Sequence, residues 1–197
     1  ATGTCPKVVE TLGSAEFWGL RASPNFVGTD AKADIPLPAN VRRYYWPSVT
    51  HNGSMRGGFN LRGETTYGGC AMPGNPIPTS ASLRVAQRAL IAWVKDGAEP
   101  PPSRYPSLAN GDLVPPTAAA MGWPGKPGAP KPDGHINAFV AQDFGPAFRP
   151  RDVRGAMTHV PPRVSRIFAS LVPRVDGDGN EISGVPSVQL LVPLGTY

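Results

Sequence analysis

The sequence predicts the α/β class, and three observations carry that prediction. Residues Lys7–Trp18 combine β-branched and apolar side chains and read as a strand running into Glu16. Val41–Trp46 is aromatic and β-rich and reads as a second strand, delivering Thr50-His51-Asn52-Gly53. Between Thr79 and Asp96, Leu83, Ala86, Leu90, Trp93 and Val94 recur at helical spacing, which predicts a helix covering one face of the sheet.

Each element has its own start and stop. After Glu16 a short helix is expected to end at Ser23-Pro24, because the residue before a proline avoids the α region. Asp30–Asn40 is turn and extended chain, and Pro47 terminates the second strand. His51–Pro78 is a long loop in which the glycine pairs 57–58 and 68–69 allow tight turns. Thr79 or Ser80 supplies the N-cap of the long helix and Gly97 its C-terminal stop. From Pro100 to Lys131 the chain predicts extended segments and turns without a reliable helix. Val172–Val175 and Ser187–Val192 read as late strands, joined through Asp176-Gly-Asp-Gly-Asn-Glu181. The two early strands are expected to lie in a parallel sheet and to be buried on both faces.

Composition narrows the classes. With 197 residues, 40% hydrophobic and 17% charged, the chain can bury one domain core, here taken as a single unit over residues 1–197. Its 23 glycines and 25 prolines predict loop-rich additions to that core, densest at 100–132 and 146–162. The net charge of +5 comes from scattered basic residues, so no nucleic-acid surface is expected. No stretch has the roughly 18 apolar residues of a membrane span. The start, Ala1-Thr-Gly-Thr-Cys5-Pro6, has no features of a signal peptide and reads as a processed end.

Cys5 and Cys70 are the only cysteines, each in a Gly/Pro-rich loop setting. That favours a Cys5–Cys70 disulfide, and with it a secreted or periplasmic location; two unpaired buried thiols are the alternative. His135 and His159 lack partners at ligand spacing, so no metal is expected. Asp176, Asp178 and Asn180 imitate a calcium loop, but Glu181 and Ser187 occupy its sixth and twelfth positions, and the segment reads as a hairpin. No cofactor is implied.

The chemistry rests on Glu16 and His51. In hydrolases that carry nucleophile, carboxylate and histidine in that chain order, each sits on a loop after a strand. Here the second and third parts appear without the first, since only fifteen residues precede Glu16 and no G-x-S-x-G elbow occurs. Ser54 lies after the histidine and reads as a loop serine. His51 at a strand end could serve as base, or be a plain surface histidine. Glu16 could orient its imidazole, or simply be an acid at a helix N-terminus. Glu10, Asp30 and Asp34 are weaker candidates for the acid.

The combination of Cys5-Pro-Lys-Val-Val9, Gly13-Ser-Ala-Glu16-Phe-Trp18-Gly19, Thr50-His51, Asn75-Pro76 and Ala89-Leu-Ile-Ala-Trp93-Val94 resembles the C-terminal half of bacterial "alpha/beta hydrolase domain" proteins. Gly97-Ala-Glu-Pro-Pro-Pro-Ser-Arg104-Tyr-Pro106, Leu171-Val-Pro-Arg-Val-Asp176-Gly-Asp-Gly-Asn-Glu181 and Val192-Pro-Leu-Gly-Thr-Tyr197 continue the likeness over nearly the whole chain. The resemblance implies the C-terminal portion of an α/β-hydrolase fold, with Glu16 as acid and His51 as base. It also implies that the serine elbow and oxyanion loop lie on an N-terminal segment of the same enzyme, and that the chain continues past Tyr197. The function expected is that of a serine-dependent carboxylic ester hydrolase acting on a small-molecule ester. The alternative is a non-catalytic secreted module binding carbohydrate or protein, with Tyr44, Tyr45, Trp46 and Trp123 as an aromatic platform.

Overall fold

Two strands of nearly identical length set the frame: β1 (Val8–Gly13) and β2 (Val41–Trp46) run parallel, in register from Val8 opposite Val41 to Gly13 opposite Trp46. They are seen in a computed structural model that describes residues 4–51 and 75–193. Because the strands finish level, the chain leaves both at the same edge of the sheet, the edge where open α/β sheets gather their functional side chains. Arg104 adds one parallel bridge on the far side of β2, through Tyr45 N–H to its carbonyl and its own N–H to the Arg43 carbonyl. Among the described residues β1 pairs with β2 alone.

The strand expected over residues 7–18 is corrected at its end. It stops at Gly13, and α1 (Ser14–Trp18) follows at once, then α2 (Ser23–Val27). The apolar run continues through the change because α1 turns Phe17 into the core, where it meets Phe26 at 4.7 Å between ring centroids and Tyr45 edge-on at 5.6 Å. Offset and edge-on contacts of this kind suit the quadrupoles of aromatic rings. Ala22, Val27, Leu113, Met121, Val172 and Val175 complete that cluster. Burial on both faces of the parallel pair is not found: Val8–Leu12 of β1 are only half-buried.

The long helix appears as α3 (Ser80–Asp96), closed by Gly97 in the left-handed conformation at φ 73°. It packs against β1. Its anchor is Trp93, with Lys7 Nζ 5.3 Å and Arg42 Cζ 4.9 Å from the ring centroid, cation–π contacts that tie the helix to β2 and to the residue just before β1. The buried stripe is narrower than the sequence pattern, since Ala86 and Trp93 are buried while Leu83 and Val94 are exposed.

The remaining elements are short: β3 (Leu113–Val114), α4 (Ala118–Met121), β4 (Val140–Asp143), β5 (Arg163–Ile167), β6 (Val172–Pro173) and α5 (Val188–Leu191). β3 pairs antiparallel with β6, and β4 with β5. α4 lies where no helix was expected, started by the Thr117 hydroxyl accepting from the Ala120 N–H. The late strand at 172–175 shrinks to two residues. That expected at Ser187–Val192 is instead α5, because Ser187 acts as an N-cap and accepts from the Leu190 N–H. Val175 and Glu181 bridge antiparallel, so the hairpin reading of the segment between them agrees with the structure.

Cys5 is an exposed free thiol. Its expected partner Cys70 lies outside the described residues, as does Ser54. Among the described residues, no helix is long and apolar enough to cross a membrane, and no cluster of His, Cys, Asp and Glu could hold a metal ion.

Candidate active site

The site is built where β1 and β2 end. Three residues beyond the first strand, Glu16 occupies the third position of α1 and reaches back, its Oε2 accepting the Gly13 N–H at 2.6 Å. This is the glutamate half of a capping box; Gly13 has no side chain to supply the other half. Five residues beyond the second strand, His51 turns its Nδ1 onto Glu16 Oε1. A carboxylate only accepts, so Nδ1 carries the proton and Nε2 is the basic nitrogen. Glu16 thus meets the backbone of the strand end through one oxygen and the imidazole through the other.

Burial differs sharply between the partners. The Glu16 side chain is 14% exposed and the His51 ring 61%. The acid is sequestered and the imidazole reaches out from the strand edge. The approach depends on Gly13, where a Cβ would stand 2.6 Å from Val49 Cγ2. Val49 is buried with Trp46 and Ile77, so the turn leading to His51 is packed directly over the start of α1.

The other acids proposed from sequence are engaged elsewhere. Glu10 bonds Arg43 Nε at 2.6 Å, while Arg43 also donates to the Asn25 carbonyl and stacks over Phe26 and Tyr105. Asp34 accepts the N–H groups of Leu108 and Ala109, and Asp30 that of Lys32. His135 pairs with Asp133 at 2.9 Å and His159 with Asp143 at 3.1 Å, but those carboxylates are 68% and 48% exposed. Solvent screens them, which leaves Glu16–His51 as the histidine pair with a sequestered acid.

One residue of this region escaped the sequence reading. Glu181, treated there only as the end of a hairpin, is buried behind the pair. Its Oε2 accepts from Tyr45 Oη and from the Ser48 N–H, both at 2.7 Å, and its own N–H donates to Ser48 Oγ at 3.0 Å. Burial pushes the Glu181 carboxyl up, and the bonds from the Ser14 side chain, the Ser48 N–H and Tyr45 partly pull it back. Burial, and then the charge of Glu181, raise the Tyr45 phenol well above its usual range. The only sequence signal was an acid closing a Gly/Asp turn, which is also common at exposed hairpins. The same burial corrects the aromatic platform, since Tyr45 is inaccessible and Trp46 nearly so.

An acid and a histidine thus meet where two parallel strands end side by side. The family model described as "Alpha/beta hydrolase domain" matches residues 1–197, and the chain belongs to that family. The membership supports a hydrolase-like function in general terms. Searches of curated proteins and of solved structures found no match.

Proposed function

We propose that this chain carries the acid and histidine of a serine-dependent carboxylic ester hydrolase. The serine elbow and oxyanion donors come from an N-terminal segment of the same enzyme. The observation that carries this reading is the Nδ1 contact of His51 with a sequestered Glu16, which makes Nε2 the proton acceptor. In the reaction, Nε2 takes the serine proton as the oxygen attacks the ester carbonyl, then returns it to the departing alkoxide. Water repeats both steps on the acyl-enzyme. Glu16 holds the ring and stabilises the imidazolium formed on the way.

The test is turnover of a short activated ester by the enzyme with its serine-bearing segment present. His51→Ala should lower kcat by at least about a thousandfold and leave the melting curve unchanged, because the ring is largely exposed. Glu16→Gln gives a more specific signature. Gly13 N–H selects the amide oxygen, which turns the amide NH2 toward Nδ1 and forces the proton onto Nε2. The variant should therefore fold normally yet turn over no faster than Glu16→Ala. Wild-type rates for His51→Ala would reject the assignment of the base, and a Glu16→Gln enzyme near wild-type would reject that of the orienting acid.

A further inference from the structure

His51 is delivered by a turn that does not hold itself. Between the end of β2 and His51, Ser48 adopts a left-handed conformation at φ 57°, unfavourable for a residue with a Cβ and kept only where the surroundings fix it. Three contacts fix it here. The Asn75 side chain donates to the Ser48 carbonyl at 2.8 Å, and the other two, to its N–H and its hydroxyl, both come from Glu181.

Glu181 does not stop at that turn. The carboxylate also accepts from Tyr45 on β2, whose ring packs edge-on against Phe17 of α1, the helix that carries Glu16. The acid and the histidine are separated by 35 positions in the chain and their supports by nearly as many. A single buried carboxylate thus ties the support of one to the support of the other. The loop behind it is seated equally closely: the Val185 N–H donates to the Tyr45 carbonyl at 2.8 Å, and a Cβ on Gly184 would lie 2.3 Å from that oxygen.

We propose that Glu181 is a positioning residue, holding the Ser48 turn and α1 in the relation that lets Glu16 meet His51. The inference rests on the reading of Glu16 and His51 as a catalytic pair, and it concerns hydrogen bonding rather than the charge of Glu181. A glutamine can accept the Tyr45 and Ser48 bonds through its amide oxygen, whereas an alanine accepts none.

The experiment combines kinetics with the ring 15N shifts of His51, which report which nitrogen carries the proton, with His135 and His159 as internal references. Glu181→Ala should lower kcat roughly tenfold to a hundredfold with KM within about twofold, the effect of a displaced catalytic group. Its His51 shifts should move from a single Nδ1–H tautomer toward a mixture. Glu181→Gln should recover kcat to within about threefold of wild type and restore the shifts. If Glu181→Ala does not fold, Ser48→Ala decides, since it removes the hydroxyl end of the clasp alone and should shift both readouts in the same sense. Unchanged kcat and His51 shifts in the folded Ala variant, or in Ser48→Ala, would overturn the proposal. So would a Gln variant as impaired as Ala. Wild-type turnover in His51→Ala would instead sink the catalytic reading, while the ring shifts would still report whether Glu181 orders His51.

Discussion

Gly13→Ala tests how tightly the two strand ends are packed, and the structure sets its size. Gly13 has φ −134°, an extended conformation that alanine adopts freely, so no backbone penalty arises. The cost is steric. The new Cβ would lie 2.6 Å from Val49 Cγ2 and 3.2 Å from the Val49 carbonyl oxygen, whereas Glu16 Oε2, at 3.4 Å, is at the edge of ordinary contact. Relief therefore requires Val49 to retreat by about 0.8 Å against a packed core, an overpacking cost of about 1–3 kcal/mol. For a chain of this length that lowers Tm by about 2–12 °C. The displaced residue is two positions from His51, so turnover should fall as well while the bond from Gly13 N–H to Glu16 persists. Melting curves and ester kinetics on Gly13→Ala, Val49→Ala and the double variant form a cycle. Removing the valine methyls should make the double variant more stable than the sum of the singles by about 1 kcal/mol. Strict additivity, or a Gly13→Ala protein with wild-type Tm, would refute the argument.

Two other glycines bracket that case. Gly184→Ala should destabilise more than Gly13→Ala, because φ is 108° and the 2.3 Å neighbour is the Tyr45 carbonyl, a backbone atom with no rotamer to yield. Gly97→Ala, at φ 73° with nothing within 4 Å, should cost only the left-handed penalty of about 1–2 kcal/mol, read from melting curves of the three variants together. Stability should also depend on pH through Glu181. Burial raises its folded pKa above the ordinary 4.5, so the native state holds the proton more tightly than the unfolded chain. That contribution is complete below about 4.5 and is lost as pH rises through the folded pKa. Urea melts of Glu181→Gln should show a flatter stability profile than wild type across that window, and identical slopes would contradict the assignment.

The legible parts of this fold were those whose signals are local. β2 and α3 fall within a residue of their sequence limits, because a proline ends the strand and a left-handed glycine ends the helix. The end of β1 was not legible. Phe17 and Trp18 continue an apolar run that reads as strand, and only the contact of Glu16 with the Gly13 N–H shows that the chain has already turned helical. Ser187–Val192 failed for a related reason: one serine cap outweighs four apolar residues, two of them valines, where no partner strand is offered among the described residues. Glu16 and His51 could be named from strand ends and chain order. Glu181 could not, because its burial follows from tertiary contacts with residues more than 130 positions away.

The double use of Glu16 explains why a glutamate suits this position and a shorter acid would not. Its place in α1 is fixed by the cap, since Oε2 must reach back to the Gly13 N–H one turn earlier. That bond sets the plane of the carboxylate and leaves Oε1 facing His51. An aspartate, one methylene shorter, could satisfy the backbone donor or the imidazole but would lose the geometry that serves both. The cap is thus part of how the imidazole is met: the Gly13 N–H engages Oε2 and leaves Oε1 to accept from Nδ1, which keeps the ring proton there and the free lone pair on Nε2.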